Sequence, residues 1–349
     1  MALGTKKIRV LLVDDSLLAR HIIRDGIQRD ANIEVVGEAV NAEDARKKLP
    51  ILKPDVMTLD VEMPGMNGID FVKSILPEYP IPIILVSSLN LRVFDALSVG
   101  AVDFVHKPET ARAGSTENFI NELITKVKTA SFAHVRRPQR WANLPVVSSS
   151  LSKTALANEV IIGLGASTGG TEATIEVLKR LPENTPGMVI VQHMPPGFTQ
   201  MYAERLNRIC KMRVKEAENG DVIERGCVLL APGDKQMRVV RTGTKYTVSC
   251  MPGPKVSGHC PSVDALFLSM AQSVRCQMVG IIMTGMGSDG AKGLLEMRKK
   301  GAFTIGQDRE SCVVYGMPME AYKLGAVAKQ ASCENIANVL IQHLNIAGK

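Results

Sequence analysis

Aromatic residues and long apolar runs are both scarce in this 349-residue chain. Phenylalanine, tryptophan and tyrosine together make up 4% of the residues, with a single tryptophan. Binding of nucleic acid by stacked bases needs aromatic platforms, so this composition argues against such a site. No uninterrupted apolar stretch reaches the roughly 20 residues of a membrane span, and the N-terminus lacks the apolar core of a signal peptide. We therefore expect a cytoplasmic protein with no membrane insertion.

Cysteine is present without the spacing that binds zinc. The seven cysteines are scattered along the chain, their number is odd, and no Cys-x-x-Cys pair occurs. A disulfide framework or a structural zinc site needs paired or clustered cysteines. The pattern therefore indicates reduced thiols.

The excess of positive charge is modest and lies in the second part of the chain. The formal net charge is +7. Residues 1–130 hold 16 basic and 18 acidic side chains, residues 131–157 hold four basic and no acidic ones, and residues 158–349 hold 22 and 17. An excess of this size suits an acidic protein substrate as well as a nucleic acid. Together with the few aromatic residues, it leads us to expect no nucleic-acid partner.

The first half alternates short apolar runs with amphipathic segments. Runs at 8–13, 34–39, 56–60, 81–86 and 103–106 predict five strands, and apolar residues at helical spacing lie between them, as over residues 42–49. Such alternation indicates a parallel sheet with helices on its faces. Polar residues follow these strands, namely Asp14, Asp15, Asp60, Ser87 and Lys107.

The carboxyl ends of parallel strands meet at one sheet edge, where α/β proteins bind their ligands. Carboxylates packed together repel one another and are tolerated best around a hard cation such as Mg²⁺. Asp14, Asp15 and Asp60 therefore form a candidate magnesium site. With the metal and Lys107 present, Asp60 can accept a phosphoryl group. Each residue alone is more simply a solvated turn or a helix cap, but five at successive strand ends favour a site.

Four motifs occur in this half in a fixed order: Val13-Asp14-Asp15-Ser16, Leu59-Asp60-Val61-Glu62-Met63-Pro64-Gly65-Met66-Asn67-Gly68, Val86-Ser87-Ser88 and Phe104-Val105-His106-Lys107-Pro108. Over about residues 5–128 they resemble the motif set of response-regulator receiver domains. The resemblance implies a flavodoxin-like (βα)5 fold with Asp60 as the phosphorylated residue, and Mg²⁺ held by Asp14, Asp15 and Asp60. It also implies Ser87 and Lys107 as phosphoryl contacts, Phe104 as the switch aromatic and a cis bond between Lys107 and Pro108.

Residues 131–157 separate the two halves. The segment has no acidic residue and weak periodicity, and it contains Arg136, Arg137, Arg140 and Trp141. This composition favours a flexible tether, although those four side chains could instead dock on a domain face. We predict a receiver domain over residues 5–130, a linker over 131–157 and a second domain over 158–349.

The second half opens on an apolar run that ends in a glycine-rich corner. Residues 160–164 predict a buried strand and residues 171–178 a helix. Between them, Ser167 lies in Gly165-Ala166-Ser167-Thr168-Gly169, which fits the Gly-x-Ser-x-Gly pattern of a nucleophile elbow. The same residues suit a phosphate-binding turn. That alternative is weakened because the third glycine of a dinucleotide fingerprint is missing and no Gly-Lys-Ser/Thr follows.

A histidine and an aspartate follow two further predicted strands. The run 187–192 ends in His193, and the run 279–284 leads into a glycine-rich turn that contains Asp289. Residues 228–234 and 245–249 predict shorter strands, which could form an antiparallel hairpin with residues 237–241. Ser167, His193 and Asp289 would share one sheet edge, which a nucleophile, its base and an orienting carboxylate require. Alone, His193 would more simply be structural.

Other residues compete for these roles, namely Asp234, Asp264, Asp308, His259 and His343. None of the three aspartates follows so strong a strand into so glycine-rich a turn. The first histidine lies in a proline-flanked loop and could contact a substrate, whereas the second lies on a C-terminal helix. The order serine, histidine, aspartate also differs from that of α/β-hydrolases, so we do not expect their fold.

Five motifs of this half also occur in order: Gly165-Ala166-Ser167-Thr168-Gly169-Gly170-Thr171-Glu172, Gln192-His193-Met194-Pro195-Pro196-Gly197-Phe198, Ala231-Pro232-Gly233-Asp234, His259-Cys260-Pro261-Ser262-Val263-Asp264 and Thr284-Gly285-Met286-Gly287-Ser288-Asp289-Gly290. Over about residues 158–346 they resemble the catalytic domain of bacterial chemotaxis receptor methylesterases. The resemblance implies a doubly wound, mainly parallel α/β sheet and a triad of Ser167, His193 and Asp289. It further implies Thr168 as a helper near the histidine and the Met286 amide as an oxyanion-hole donor.

Together the two resemblances imply a phosphorylation-controlled serine esterase. Members of the family remove methyl groups from glutamate γ-esters on chemoreceptors, and many deamidate receptor glutamines. The implied partners are methyl-accepting chemotaxis receptors as substrates and the chemotaxis histidine kinase as phosphodonor. Mg²⁺ is implied for the receiver, and no cofactor for the ester chemistry. The receiver is expected to cover the catalytic cleft until phosphorylation of Asp60 adds about −1.5 to −2 charge.

Two other functions remain as alternatives. A receiver can precede a DNA-binding output domain, but the second half is about twice the size of a helix-turn-helix domain and has an α/β pattern. The glycine-rich turn could instead bind a nucleotide in a nucleotide-responsive regulator. Salt-dependent retention on DNA and binding of a labelled nucleotide would distinguish these alternatives from the esterase.

Overall fold

A computed structural model describes residues 6–87, 92–108, 115–135, 151 and 159–346. The chain forms two compact units, Met1–Ala142 and Asn143–Lys349. The division falls within the segment predicted to be a linker. The residues that suggested docking of that segment, Arg136, Arg137, Arg140 and Trp141, lie outside the described residues.

The first unit alternates strands with helices. Its strands are β1 (Ile8–Val13), β2 (Ile33–Ala39), β3 (Val56–Asp60), β4 (Ile83–Ser87) and β5 (Asp103–His106). Its helices are α1 (Leu17–Ile27), α2 (Ala42–Leu52), α3 (Gly68–Ile75), α4 (Arg92–Ser98) and α5 (Ser115–Ala130). The strands form a five-stranded sheet in the order β2-β1-β3-β4-β5, and every neighbouring pair is parallel. The predicted (βα)5 receiver fold is therefore confirmed.

Local sequence explains how these elements begin and end. Strands β3 and β4 consist mostly of apolar residues, and every residue in them is buried. The Ser16 and Asn41 side chains cap α1 and α2 by accepting hydrogen bonds from backbone amides. Helix α2 runs through Pro50 to Leu52, three residues beyond the predicted end. Pro50 has no N–H to donate to the carbonyl of Arg46, so α2 lacks one backbone hydrogen bond in its last turn. The bond between Lys107 and Pro108 is not cis, contrary to the expectation from the receiver resemblance.

The second unit contains the remaining elements. Its strands are β6 (Val160–Ala166), β7 (Met188–Gln192), β8 (Arg213–Glu216), β9 (Cys227–Leu230), β10 (Gln236–Thr242), β11 (Lys245–Met251), β12 (Gln277–Ile282), β13 (Phe303–Gln307) and β14 (Lys329–Ala331). Its helices are α6 (Gly170–Leu178), α7 (Phe198–Ile209), α8 (Val263–Ser273), α9 (Ala291–Lys299), α10 (Met317–Lys323) and α11 (Cys333–Ile346).

Seven of these strands form one sheet, in the order β14-β13-β12-β6-β7-β9-β8. All neighbouring pairs in it are parallel, whereas β10 and β11 form a separate antiparallel hairpin. The chain leaves β6 towards β7 on one side and returns to β12 on the other. The sheet order therefore reverses at β6, which is the kind of position where α/β sheets bind ligands. The predicted doubly wound sheet and the hairpin are confirmed.

Strand β6 lies at the centre of this sheet and is buried along its whole length. Its glycines allow α8 to approach closely, since a Cβ atom at Gly165 would lie 2.2 Å from Cγ1 of Val263. Nearby apolar side chains of α8 and α9 belong to one core cluster with those of the hairpin. The close packing of α8 on β6 matters because residues at the start of α8 donate hydrogen bonds to Asp289.

Two further expectations concern the whole chain. No disulfide joins any of the seven cysteines, all of which lie among the described residues. Within the described residues, no helix combines the length and apolar character needed to cross a bilayer.

Candidate functional site

Ser167, His193 and Asp289 all follow strands at the centre of the seven-stranded sheet. Ser167 comes directly after β6 and His193 directly after β7, while Asp289 lies in the loop between β12 and α9. Ala166 and Gln192 are paired in register, and the His193 amide donates to the Ala166 carbonyl at 3.1 Å. The fold therefore places the three residues predicted to form a triad at one edge of three adjacent strands.

The corner that carries Ser167 is shaped by the glycine that follows it. Gly169 has φ +76°, and a Cβ atom there would lie 2.6 Å from the side chain of Val313. The left-handed backbone thus occurs at Gly169 and not at the serine, which differs from the strained serine of a nucleophile elbow. The Ser167 amide donates to the Thr284 carbonyl at 2.9 Å, which ties the corner to the end of β12. Ser167 itself remains partly exposed.

Asp289 is buried and accepts hydrogen bonds on both of its oxygens. Oδ2 accepts from Nε2 of His193 and from the amide of Val263, each at 2.8 Å. Oδ1 accepts from the Ser262 hydroxyl at 2.8 Å and from the Asp264 amide at 2.9 Å. Three of these donors lie at the N-terminus of α8, where unpaired amides and the helix dipole favour a negative charge.

The surroundings of Asp289 keep it ionised. Burial acts to raise its pKa, but the hydrogen bond and charge of His193, together with the amides of Asp264 and Val263, outweigh burial and hold the pKa below its usual range. An ionised carboxylate can only accept hydrogen bonds. Nε2 of His193 must therefore carry the proton in this contact.

This contact determines which nitrogen of His193 can act as a base. With the proton on Nε2, the neutral ring has its lone pair on Nδ1. Nδ1 is buried and has no hydrogen-bond partner among the described residues. The Ser167 hydroxyl accordingly makes no hydrogen bond to it in this structure, and such contacts are often long before substrate binds. The geometry leaves Nδ1 as the available proton acceptor.

Two residues beside this site make contacts that the sequence did not indicate. The His259 ring stacks on that of His193, with ring centroids 3.8 Å apart and planes 10° apart. The buried Gln192 side chain donates from Nε2 to the carbonyls of Ser167 at 2.8 Å and His193 at 3.3 Å. Because His259 is 66 positions from His193, no local pattern indicates the stacking. Gln192 directly precedes the histidine, and that adjacency is the only signal in the sequence.

Thr168 directly follows Ser167, and Met286 lies in the loop between β12 and α9. Thr168 is buried, and its carbonyl accepts from the Thr284 hydroxyl at 3.0 Å. Met286 has a side chain 42% exposed, in the loop that follows β12. Its amide donates no hydrogen bond to any described residue. That leaves the amide available to bind an oxyanion.

The competing residues have other partners. Asp264 accepts from the Ser257 hydroxyl and the Gly293 amide, each at 2.7 Å, and Asp308 accepts from Ser311. Asp234 is exposed at the surface, and His343 stacks on Phe303. Of these aspartates and Asp289, it is Asp289 that hydrogen-bonds His193.

The carboxylates at the sheet edge of the first unit also come together. Ligand atoms from Asp14, Asp15 and Asp60 all lie within 4.8 Å of one another, with Asp14 and Asp60 buried and Asp15 exposed. Lys107 Nζ lies 2.8 Å from Oδ2 of Asp14 and 2.7 Å from Oδ2 of Asp60. An oxygen-only donor set with one exposed face fits Mg²⁺, which keeps several waters when it binds to proteins.

The pKa values at this edge follow from burial and from the ion pairs. Burial raises the pKa of Asp60, and the nearby Asp14 charge adds to this, against the lowering effects of Lys107 and the Glu62 amide. Burial acts to lower the pKa of Lys107, but hydrogen bonds to Asp14 and Asp60 and their charges raise it overall. Lys107 is therefore a cation held between two carboxylates, where it can neutralise negative charge on a group bound at Asp60.

Ser87 lies on β4, the strand next to that of Asp60, and Phe104 lies on β5, one strand further out. Ser87 is the last residue of β4 and is buried, and it pairs in register with His106 of β5. Phe104 is buried and contacts the ring of Phe94 edge to face, with centroids 6.4 Å apart. Ser87 therefore lies at the end of its strand, and Phe104 packs between β5 and α4.

Comparisons with known proteins match both units. A family described as response regulator receiver domain matches residues 10–115, and one described as CheB methylesterase matches residues 162–340. The crystal structure of the Thermotoga maritima CheB methylesterase catalytic domain is 34% identical in sequence with a TM-score of 0.52, and the match covers 53% of this chain and 98% of that one.

Relatives of full length resemble the whole chain. A Syntrophomonas wolfei protein named protein-glutamate methylesterase/protein-glutamine glutaminase 2 is 52% identical over 340 residues, which cover 97% of this chain and 98% of that protein. A Syntrophotalea carbinolica protein named protein-glutamate methylesterase/protein-glutamine glutaminase is 48% identical over 347 residues, covering 97% and 98%. The chain therefore belongs to the CheB methylesterase family, with a response regulator receiver domain preceding its methylesterase domain.

Proposed function

We propose that this protein hydrolyses glutamate γ-methyl esters on chemoreceptors, with Ser167 as the nucleophile, His193 as the base and Asp289 as the orienting carboxylate. The single observation that carries the assignment is the His193–Asp289 hydrogen bond of 2.8 Å, which leaves Nδ1 of His193 buried and without a hydrogen-bond partner among the described residues. The names of the full-length relatives support the substrate class.

The proposed reaction proceeds through an acyl-enzyme. Oγ of Ser167 attacks the ester carbonyl while Nδ1 of His193 takes the hydroxyl proton. The tetrahedral intermediate collapses as the imidazolium returns the proton to the leaving oxygen, which releases methanol. Water then attacks the acyl-enzyme with Nδ1 again as the base, and glutamate and free Ser167 result. Asp289 stabilises the imidazolium in both steps.

Two further residues complete the proposed site. The Met286 amide donates to the oxyanion of the tetrahedral intermediate, and loss of one such donor typically costs about 10² to 10³ in kcat. Thr168 acts as a helper near the histidine. The free Met286 amide and the burial of Thr168 between Ser167 and the end of β12 support these roles.

Glutamine deamidation follows from the same chemistry. An amide carbonyl in place of the ester gives the same acyl-enzyme, and ammonia leaves in place of methanol. The proton that Nδ1 returns to the leaving group matters more here, because an amide nitrogen is the poorer leaving group. The glutaminase named in the relatives supports this second activity.

Phosphorylation of the receiver domain is proposed to control the esterase. Asp60 accepts the phosphoryl group from the chemotaxis histidine kinase, Lys107 and Ser87 contact it, and Phe104 responds as the switch aromatic. Asp14, Asp15 and Asp60 would hold Mg²⁺, which when bound supplies neutralising charge for the transferred group. The phosphoryl group adds about −1.5 to −2 charge to the receiver domain, and this change is proposed to raise the activity of the methylesterase domain.

Release of methanol from receptor membranes tests this function. Membranes carrying methylated chemoreceptors are mixed with the full-length protein, with and without a small-molecule phosphodonor. We expect Ser167→Ala to abolish release while Asp60 is still phosphorylated, and Asp60→Asn to stay near basal activity with the phosphodonor. Ser249→Ala, on the hairpin, is the matched serine control and should behave as the unaltered protein. Retained release in Ser167→Ala would exclude the proposed triad.

A further inference from the structure

The imidazole of His193 is held at its edge by one hydrogen bond and at its face by a second imidazole. The edge contact is the one from Nε2 to Asp289, and the face contact is the stack on His259, with planes 10° apart. We propose that His259 is a positioning residue for the esterase, whose ring fixes the plane of the His193 ring and so the direction in which Nδ1 accepts a proton. This inference rests on the proposed triad.

A tight turn presents the His259 ring. Val256 and His259 exchange two backbone hydrogen bonds of 2.9 Å across it. The two central residues, Ser257 and Gly258, have φ values of +50° and +86°, as in the type I′ turns that close two-residue hairpins. The Ser257 hydroxyl also donates to Asp264 at 2.7 Å, which fastens the turn to α8.

A buried glutamine anchors the same turn to the hairpin. Gln236 is fully buried at the start of β10, and its Nε2 donates to the carbonyls of His259 at 2.9 Å and Pro254 at 3.0 Å. Its Oε1 accepts from the Ser262 amide at 3.0 Å. Every polar atom of the Gln236 side chain is therefore used to hold the segment that carries the second imidazole.

One continuous segment, residues 256–264, thus supplies both contacts of the base. Its first part carries His259, which stacks on the His193 ring, and its last part carries the amides that bind Asp289. A single hydrogen bond at Nε2 lets the ring rotate about that contact, and Nδ1 has no partner that would stop it. A parallel stack removes this freedom, because rotation out of the plane would break the face contact. The segment is built to fix the direction of the lone pair.

Substitutions that separate ring stacking from simple bulk test the role. His259→Phe keeps a ring, His259→Leu fills the space without one, and His259→Ala removes both. His343 is the matched control, since it also stacks on an aromatic ring, Phe303, at 4.0 Å and 11°. Phe303 begins β13 at the end of the strand opposite the catalytic edge. For each full-length variant, kcat and KM are measured by methanol release. The rate at which a fluorophosphonate labels Ser167 and the midpoint of thermal unfolding are measured separately.

We expect His259→Ala to lower kcat and the labelling rate about three- to tenfold with KM within twofold, which is the range that one aromatic stack can supply. His259→Phe should restore kcat to within twofold, His259→Leu should not, and His343→Ala should leave kcat unchanged. If His259→Ala fails to fold, the comparison of phenylalanine with leucine decides.

Three results would overturn the inference. A raised KM with unchanged kcat in His259→Ala would show that His259 contacts the substrate. Equal kcat values for His259→Phe and His259→Leu would show that the side chain only fills space. An equal loss of kcat in His343→Ala would show that the effect comes from reduced stability. Failure of the proposed triad is distinguishable, because Ser167→Ala would then retain methanol release whatever the His259 variants do.

Discussion

Asp289 accepts its hydrogen bond from Nε2 of His193, at 2.8 Å, and not from Nδ1. In serine proteases of the chymotrypsin type the aspartate holds Nδ1 and the base acts through Nε2. The imidazole here is used in the opposite sense, with the lone pair on the nitrogen nearer the ring's attachment to the backbone. A base that acts through Nδ1 has less reach than one that acts through Nε2, so its ring must be held more closely.

Replacement of Asp289 by asparagine should nearly abolish activity. Asparagine would place an amide or a carbonyl where an ionised acceptor now selects the His193 tautomer, and the corresponding exchange in a serine protease costs about 10⁴ in kcat. We expect a loss of at least about 10³ in kcat for methanol release. Asp308→Asn, an aspartate on a loop of the same unit that bonds Ser311, is the control and should retain activity. A loss below tenfold in Asp289→Asn would show that the carboxylate is not part of the reaction.

The same substitution should cost stability in a pH-dependent way. The pKa of Asp289 is lowered in the folded protein, so its contribution is fully present above the unfolded carboxyl value of about 3.9 and is lost as pH falls through the lower folded value. We expect Asp289→Asn to reduce the free energy of unfolding by about 1–3 kcal/mol at pH 7. Urea unfolding at pH 7 and at several values below pH 4 measures this difference, which should shrink as the pH falls. A difference that grows below pH 4 would contradict the sign of the shift.

Mg²⁺ should stabilise the receiver domain through its three carboxylates. A ligand at ten times its Kd adds about 1.4 kcal/mol to the free energy of unfolding, which is worth roughly 4 °C for a domain of this size. Scanning calorimetry of the full chain with and without MgCl₂ measures the shift. Asp15→Asn, at the exposed corner of the cluster, should remove most of it. Asp25→Asn is the control, since the Asp25 side chain is 70% exposed on α1, and it should leave the shift unchanged. An equal loss of the shift in both variants would argue against the Mg²⁺ site.

Gly169 should tolerate no side chain. Alanine there would combine a left-handed φ of +76° with a Cβ 2.6 Å from Val313. Gly243 is a matched control, since its φ is +63° but nothing lies within 4 Å of its Cβ position. We expect Gly243→Ala to cost about 1 kcal/mol in the free energy of unfolding. Gly169→Ala should cost clearly more and reduce methanol release, because the corner that carries Ser167 must move.

If the two glycine variants lost the same stability, the cost would come from backbone conformation alone. The close packing against Val313 would then have no role in shaping the corner. Thermal and urea unfolding of both variants decide between these outcomes.

Much of the fold was predictable because both the strands and the polar residues that follow them can be recognised from the local sequence. Short β-branched runs followed at once by Asp14, Asp60, Ser167 or His193 indicate both the sheet and its ligand-binding edge. Edge strands were harder to predict. Strand β8 is largely exposed or half-buried and β14 has three residues, so neither shows a periodic apolar pattern.

The contacts that orient the site could not be predicted in the same way. The stack of His259 on His193 and the donors that α8 offers to Asp289 join residues tens of positions apart, and they exist only after the sheet has brought loops together. Ser262 shows the limit well. Its position before an apolar helical run indicates an N-cap, and it does cap α8 by accepting from the Ala265 amide, but nothing local indicates that its hydroxyl also donates to the carboxylate beside His193.

The Gln192 side chain that donates to the carbonyls of both Ser167 and His193 has a mechanical consequence. One buried amide joins the backbones of the proposed nucleophile and base, so a displacement of either backbone is transmitted to the other. The spacing of these two backbone positions is therefore held by a side chain as well as by the neighbouring strands. We expect regulation to act on the access of substrate to the pair, because the backbones that carry the two residues are joined.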